Sequence, residues 1–208
     1  MTRHAVILFA TVLAILGSKS RGDTAPGSEH IHWSSQTTLR SPDGKWLLFV
    51  RPTHANDDPA DVYISRIGGE MHPLFQLRRD AEIYWRSQFD QLVILDEVAG
   101  DDYRLMVFHL DDPSERSALS LNSQISRDIR RRLSKNDQIV YYFPHFSGWT
   151  DNDDLVISVG VMTAHRGSGS FTSHCFGYVA DGNLLQIKTR LSEATLKAKY
   201  GESCQMWP

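Results

Sequence analysis

The stretch Ser41-Pro-Asp-Gly-Lys-Trp46 runs directly into Leu47-Leu-Phe-Val50, and it decides the fold class that the sequence predicts. Pro42 presets a φ of about −65° for the second position of a turn, the Asp43 side chain bonds to nearby backbone, and Gly44 accepts a positive φ. The apolar run behind the turn is short and rich in large side chains, which is typical of a β-strand. The stretch therefore predicts a tight turn that leads into a buried strand.

The same pattern returns further along the chain. Residues 41–50 align with 87–96 at an offset of 46, which lies within the period of roughly 40–50 residues found in propeller blades. A looser third copy spans 155–188, with a predicted hairpin at 180–182. In the first two copies, short strands are predicted at 45–50, 62–67, 73–77, 82–85, 92–98, 103–110 and 117–121.

On these residues the chain resembles the WD40-like, TolB-like β-propeller repeat family, most closely over residues 33–78. The resemblance implies blade-like antiparallel sheets and the binding of proteins or peptides on a loop face. A closed propeller has at least four blades, and this chain has room for about three. The predicted fold is therefore all-β, mainly antiparallel, with an incomplete propeller-like array of about three blade-like sheets. A β-sandwich, and a homodimer in which two chains close one ring, stay open as alternatives.

Two segments depart from the strand pattern and predict helices. Residues 123–135 carry Ile125, Ile129 and Leu133 at helical spacing, which gives an apolar stripe. Residues 192–200 begin at a Ser that suits an N-cap and end before a Gly that suits termination.

The first 20 residues read as an export signal, because Arg3 precedes the apolar run Ala5–Leu16, in which Thr11 is the one polar residue, and small residues follow it. Cleavage would leave a flexible lead-in over 21–30 and a single β-rich domain over 31–208 with no membrane span, located in the periplasm or secreted. Loss of Arg3 and Lys19 leaves 20 Lys and Arg against 25 Asp and Glu, a net charge of −5. This acidity argues against nucleic-acid binding, which needs a strong basic footprint.

The two cysteines, Cys175 and Cys204, are predicted to form a disulfide, since an isolated pair in an exported protein favours a bridge over a reactive thiol or metal site. Such a bridge would stabilise the chain by about 3–4 kcal/mol in the chain-entropy model. It would pin the terminal helix to the strand that carries Cys175.

The densest aromatic cluster gives the candidate ligand-binding residues. Residues 141–143 read as strand and 144–148 as loop, and Tyr142, His145 and Trp149 supply polar edges that suit a sugar ring or a peptide. The simpler interpretation is that the aromatic side chains of this segment fill the core.

Charged clusters elsewhere have simpler interpretations. The acidic loops at 56–61 and 150–154 lack the spacing of a calcium loop, and His30 and His32 have no third ligand at a readable spacing. No metal or other cofactor is therefore predicted. Arg127, Arg130 and Arg131 share one helix face, which suits either a solvated surface or contact with an acidic partner or anionic lipid.

No catalytic residue is predicted, because residues 167–170 lack the context of a nucleophile motif and no metalloprotease or phosphate-loop motif is present. The expected function is an exported, non-enzymatic binding or scaffold protein whose partner is an envelope or extracellular protein or peptide. The alternative is an exported hydrolase of glycans or peptides that uses His145, Asp151 or Asp153 as acid or base.

Overall fold

The computed structural model describes residues 28–53, 59–86, 91–99, 102–111, 119–201 and 204. The predicted signal segment 1–20, most of the predicted lead-in, and residues 56–58 of one acidic loop lie outside this description. The helices are α1 (Leu119–Arg132) and α2 (Glu193–Tyr200). The strands are β1 (Glu29–His32), β2 (Thr37–Arg40), β3 (Trp46–Arg51), β4 (Ala60–Arg66), β5 (Met71–Leu77), β6 (Asp80–Arg86), β7 (Gln91–Ala99), β8 (Asp102–His109), β9 (Asp137–Trp149), β10 (Leu155–His165), β11 (Phe171–Asp181) and β12 (Gln186–Leu191).

The strands form three four-stranded antiparallel sheets, none of which closes into a barrel. Sheet 1 has the order β2-β3-β4-β5, sheet 2 the order β1-β6-β7-β8, and sheet 3 the order β12-β11-β10-β9. The all-β class, the three blade-like sheets and the two helices are confirmed.

Sheet 2 is the middle layer, and it buries both faces. Along β7, Leu92 and Ile94 belong to a core cluster shared with sheet 1, whereas Val93 and Leu95 belong to a second cluster shared with sheet 3 and α1. A strand buried on both sides reads as a continuous apolar run, which is what the sequence has here. The result is three layers, one more than the β-sandwich alternative would have.

The opening turn has the predicted chemistry. The buried Ser41 accepts the Trp46 backbone N–H at Oγ (2.9 Å) and donates to the Asp43 carboxylate (2.6 Å). Gly44 has a φ of 73°, a left-handed conformation that favours glycine. Burial alone would raise the pKa of Asp43, but the hydrogen bonds from Ser41 and Lys45 outweigh it and lower that pKa below its ordinary value.

The offset of 46 relates β3 to β7, the second strands of the hairpins β2–β3 and β6–β7, and the copies then diverge. In sheet 1 the chain continues from β4 into β5, which is the fourth strand of that sheet. In sheet 2 the chain enters α1 after β8, and the fourth strand is β1, which pairs at the opposite edge. The predicted strand at 117–121 is therefore wrong for residues 119–121, which are helical. Leu121 extends the buried stripe of Ile125 and Ile129 by one turn, so the helix begins earlier than predicted.

The loop predicted at 144–148 is also wrong, because these residues continue β9. Pro144 lies opposite Val159, and β9 is an edge strand, where the missing N–H of proline costs no ladder hydrogen bond. Two register shifts in the pairing of β9 with β10 accommodate the irregular backbone around Pro144.

The end of the described chain matches its prediction. Ser192 caps α2 by accepting the Thr195 backbone N–H (3.1 Å), and Gly201 closes the helix with a φ of 69°. The disulfide between Cys175 and Cys204 is present, with a Cα–Cα distance of 5.5 Å. Within the described residues, neither helix has the length and apolarity that a membrane crossing needs.

Candidate ligand-binding site

A cleft of about 840 Å³ lies where α1 passes the edges of β8 and β9. It exists because β8 is an edge strand of sheet 2 among the described strands, and α1 and β9 border that edge. We call it the α1 cleft. Its lining residues are Val98, Tyr103, Arg104, Asn122, Ser123, Ser126, Arg127, Arg130, Arg131 and Tyr142.

The α1 cleft is strongly basic. Arg127, Arg130 and Arg131 come from successive turns of α1 and are exposed, while the opposite stripe of the helix is buried in the core. Among the described residues, no acidic side chain lines this cleft. Three cations at a concave surface whose described lining has no acidic side chain make a region of positive potential that attracts anions.

Two of the residues that line the α1 cleft, Asn122 and Tyr142, each carry a buried polar atom. In the described part of the chain, neither Tyr142 Oη nor Asn122 Oδ1 has a hydrogen-bond partner, and both atoms are closed off from solvent. The Asn122 Nδ2 group donates weakly to the Leu105 carbonyl of β8 (3.5 Å). Burial raises the pKa of Tyr142, so its hydroxyl keeps its proton throughout the neutral range. Unsatisfied buried polar atoms each cost about 1–3 kcal/mol and are uncommon in native proteins.

A separate ion network holds α1 on sheet 3. The buried Asp128 accepts hydrogen bonds from Tyr178 Oη (3.1 Å) and from Arg190 Nε (3.0 Å), and a second Arg190 nitrogen contacts its other oxygen. Arg132 lies 3.9 Å from the same carboxylate and stacks over the Phe176 ring. Burial, followed by the charge of Asp128, raises the pKa of Tyr178. The network uses Arg132 and leaves the three cleft arginines on the other side of the helix.

The structure separates the three ligand-binding residues that the sequence suggested. Tyr142 lines the α1 cleft. Trp149 is buried in the core between sheets 2 and 3, where its Nε1 donates to Gln91 Oε1 (2.8 Å). His145 lies opposite Ser158, whereas Tyr142 lies opposite Val161, so the two side chains project from opposite faces of sheet 3. Only Tyr142 belongs to the cleft.

The acidic segment 150–154 forms the turn between β9 and β10, and its side chains meet cations of the protein. Asp153 pairs with Arg86, Asp154 pairs with Lys188 (2.5 Å), and Asp151 is exposed. These ion pairs give the segment a structural role.

The two histidines near the start of the described chain lie on the exposed face of β1. His32 contacts Asp80 (3.4 Å) and Ser34. No group of three or more His, Cys, Asp or Glu side chains within the described ranges is placed to hold a metal ion.

A second cleft, of about 810 Å³, adjoins the first and shares Val98 and Arg104 with it. It lies between β5 of sheet 1 and sheet 2. The Arg104 guanidinium pairs there with the buried Asp96 (2.7 Å) and lies 6.0 Å from the Phe75 ring centroid. This cleft is mixed in charge, because Asp61 and Asp96 accompany its arginines, so the α1 cleft is the stronger anion site.

The arginines of the α1 cleft and Tyr142 were recognisable as candidates in the sequence, whereas Asn122 and Tyr103 were not. Asn122 precedes the predicted helix start by one residue. The apolar stripe of Ile125 and Ile129 continues four residues back to Leu121, and a helix extended to Leu121 would have included Asn122. Tyr103 packs against Phe143 of β9, with ring centroids 5.9 Å apart, and that contact depends on how two sheets meet.

The sequence matches no model of a known protein family, no curated protein and no solved structure.

Proposed function

We propose that this chain is an exported, non-enzymatic binding protein that receives an acidic segment of an envelope or extracellular protein in the α1 cleft. One observation carries the proposal: Arg127, Arg130 and Arg131 line a concave surface that has no acidic side chain among the described residues. A structural disulfide is compatible with an oxidising compartment outside the cytoplasm.

The shape of the site favours a protein segment over an anionic lipid surface. A basic helix face that binds a membrane presents its cations to a plane, together with an apolar face that enters the lipid. Here the apolar stripe of α1 is buried in the core at Leu121, Ile125 and Ile129. The arginines instead border a cleft of about 840 Å³.

The hydrolase alternative gains no support from the geometry. Of its three suggested residues, Asp153 is engaged with Arg86 and Asp151 is exposed in a turn. His145 lies on the face of sheet 3 opposite to that of Tyr142.

A charge-reversal experiment tests the proposal. A fluorescein-labelled hexaglutamate peptide is titrated with the protein at low salt, and its polarisation is followed. The triple variant Arg127→Glu, Arg130→Glu, Arg131→Glu should bind at least about tenfold more weakly, because three exposed attractions of up to about 1 kcal/mol each become repulsions.

A matched control separates the cleft from net charge. Arg66→Glu, Arg166→Glu, Lys199→Glu makes the same charge change at exposed positions away from α1. This control should keep most of the wild-type affinity. Equal losses in both triple variants, or a wild-type protein that does not bind the peptide, would rule the proposal out.

A further inference from the structure

We infer that the acidic segment bound in the α1 cleft continues past Arg104 into the second cleft, where a further carboxylate of the segment meets Arg78. The inference rests on the proposed function and names its ligand class more narrowly. The ligand becomes an extended segment that carries acidic side chains at both of its ends.

The two clefts meet at residues that they have in common. Val98 of β7 and Arg104 of β8 line both clefts, and both side chains are half-buried. A chain that passes over these two residues therefore leaves one cleft and enters the other.

The second cleft has an exposed cation of its own. Arg78 lines this cleft, is exposed, and forms no ion pair with any side chain in the described part of the protein. Asp96 pairs with Arg104 (2.7 Å), and Asp61 lies 3.4 Å from an arginine of β3. Because the acidic side chains of the described lining are engaged with these cations, the charge of Arg78 stays open to an incoming carboxylate.

Strand pairing limits the distance that the segment has to cover. Ala81, Asp96 and Arg104 lie opposite one another across β6, β7 and β8, so two strand spacings put about 10 Å between the outer two backbones. Arg78 precedes Ala81 by three residues, which adds at most about 11 Å of chain. From Arg104 to Arg78 is therefore at most about 21 Å, which about six extended residues span. With about four residues in the α1 cleft, a segment of about ten residues occupies both clefts.

Peptide length combined with charge reversal tests the inference. Fluorescein-labelled tetraglutamate and decaglutamate are titrated with the protein at 0.1 M salt, where charges more than about 10 Å apart are largely screened. The variants are Arg78→Glu and, as a matched control, Arg66→Glu, an exposed position at the end of β4 that lines neither cleft.

Arg78→Glu should weaken decaglutamate binding by about 2- to 30-fold relative to Arg66→Glu, because one exposed attraction becomes a repulsion. The two variants should bind tetraglutamate equally, since its extended length of about 13 Å is taken up in the α1 cleft. Both substitutions change exposed side chains, so both variants should unfold at the urea concentration of the wild type.

A paramagnetic label gives an independent readout of position. A nitroxide is attached to one end or the other of decaglutamate, and the broadening of the amide resonances of ¹⁵N-labelled protein is measured. The labels should broaden residues 76–78 of the second cleft as well as residues 127–131 of α1. Broadening confined to α1 with either label would overturn the inference.

The outcomes also distinguish this inference from the proposed function. If the Arg127→Glu, Arg130→Glu, Arg131→Glu variant weakens both peptides while Arg78→Glu and Arg66→Glu bind decaglutamate equally, the α1 cleft stands and its extension fails. If Arg78→Glu weakens the two peptides to the same degree, the extension is wrong as well. If the wild type binds neither peptide, both the proposed function and the inference fail.

Discussion

Removal of the Asp128 carboxylate should destabilise the protein without altering the arginines that line the α1 cleft. In Asp128→Ala, the Tyr178 hydroxyl, on a side chain with no exposed surface, loses its acceptor. Leaving that hydroxyl unsatisfied costs about 1–3 kcal/mol. The Arg190 and Arg132 side chains are 62% and 42% exposed, so water takes over much of their lost pairing, and together they add about 1 kcal/mol. The expected loss in the free energy of unfolding is about 2–4 kcal/mol.

Urea unfolding, monitored by far-UV circular dichroism, measures this loss. The slope m should be unchanged, because the substitution is expected to leave the compactness of the native and unfolded states as in the wild type. Asp128→Asn keeps an oxygen for the Tyr178 hydroxyl and should lose only about half as much. Glu70→Ala, at an exposed position, serves as the control and should change stability by less than about 0.5 kcal/mol. An Asp128→Ala protein as stable as this control would refute the assignment of Asp128 as the anchor of α1.

Three further perturbations probe the rest of the fold. Gly177→Ala should lower the free energy of unfolding, measured with urea, by about 1–3 kcal/mol, because the added Cβ would lie 2.7 Å from the Leu196 side chain and force α2 away. Unchanged stability would show that α2 is docked more loosely. Reduction of the bridge between Cys175 and Cys204 should lower stability by about 3–4 kcal/mol, measured by unfolding with and without reductant, and an unchanged midpoint would contradict the role of the bridge. The pKa of Asp43 is lower in the folded protein than its ordinary value of 3.8, so the stabilisation by its carboxylate is present above that value and is lost as the pH falls through the folded pKa. Asp43→Asn should therefore flatten the acid limb of the stability–pH curve, and an identical acid limb would oppose this explanation.

The elements that were predictable from the sequence are those that depend on interactions between residues close together along the chain. The Ser41–Trp46 turn depends on hydrogen bonds within six residues, and α2 on its caps at Ser192 and Gly201. The repeat at an offset of 46, with its looser third copy, was also enough to predict about three sheets. The disulfide was predictable because the chain has two cysteines and is expected to be exported to an oxidising compartment.

The elements that were missed depend on what lies beside them in space. Pro144 is compatible with a strand only because β9 is an edge, and a sequence does not state which strand is an edge. The start of α1 depended on whether Leu121 faces a core. The α1 cleft combines β8, α1 and β9, so the sequence does not indicate that Asn122 and Tyr142 line the same cleft.

Chemical-shift mapping tests the central claim most directly. The amide resonances of uniformly ¹⁵N-labelled protein would be followed during titration with unlabelled hexaglutamate. The proposed site predicts that the largest shifts fall in residues 122–131 of α1 and around Tyr103 and Tyr142, and that the Arg127→Glu, Arg130→Glu, Arg131→Glu variant abolishes them. Shifts centred on α2 or on sheet 1, or shifts that persist in the triple variant, would contradict the assignment of the α1 cleft as the binding site.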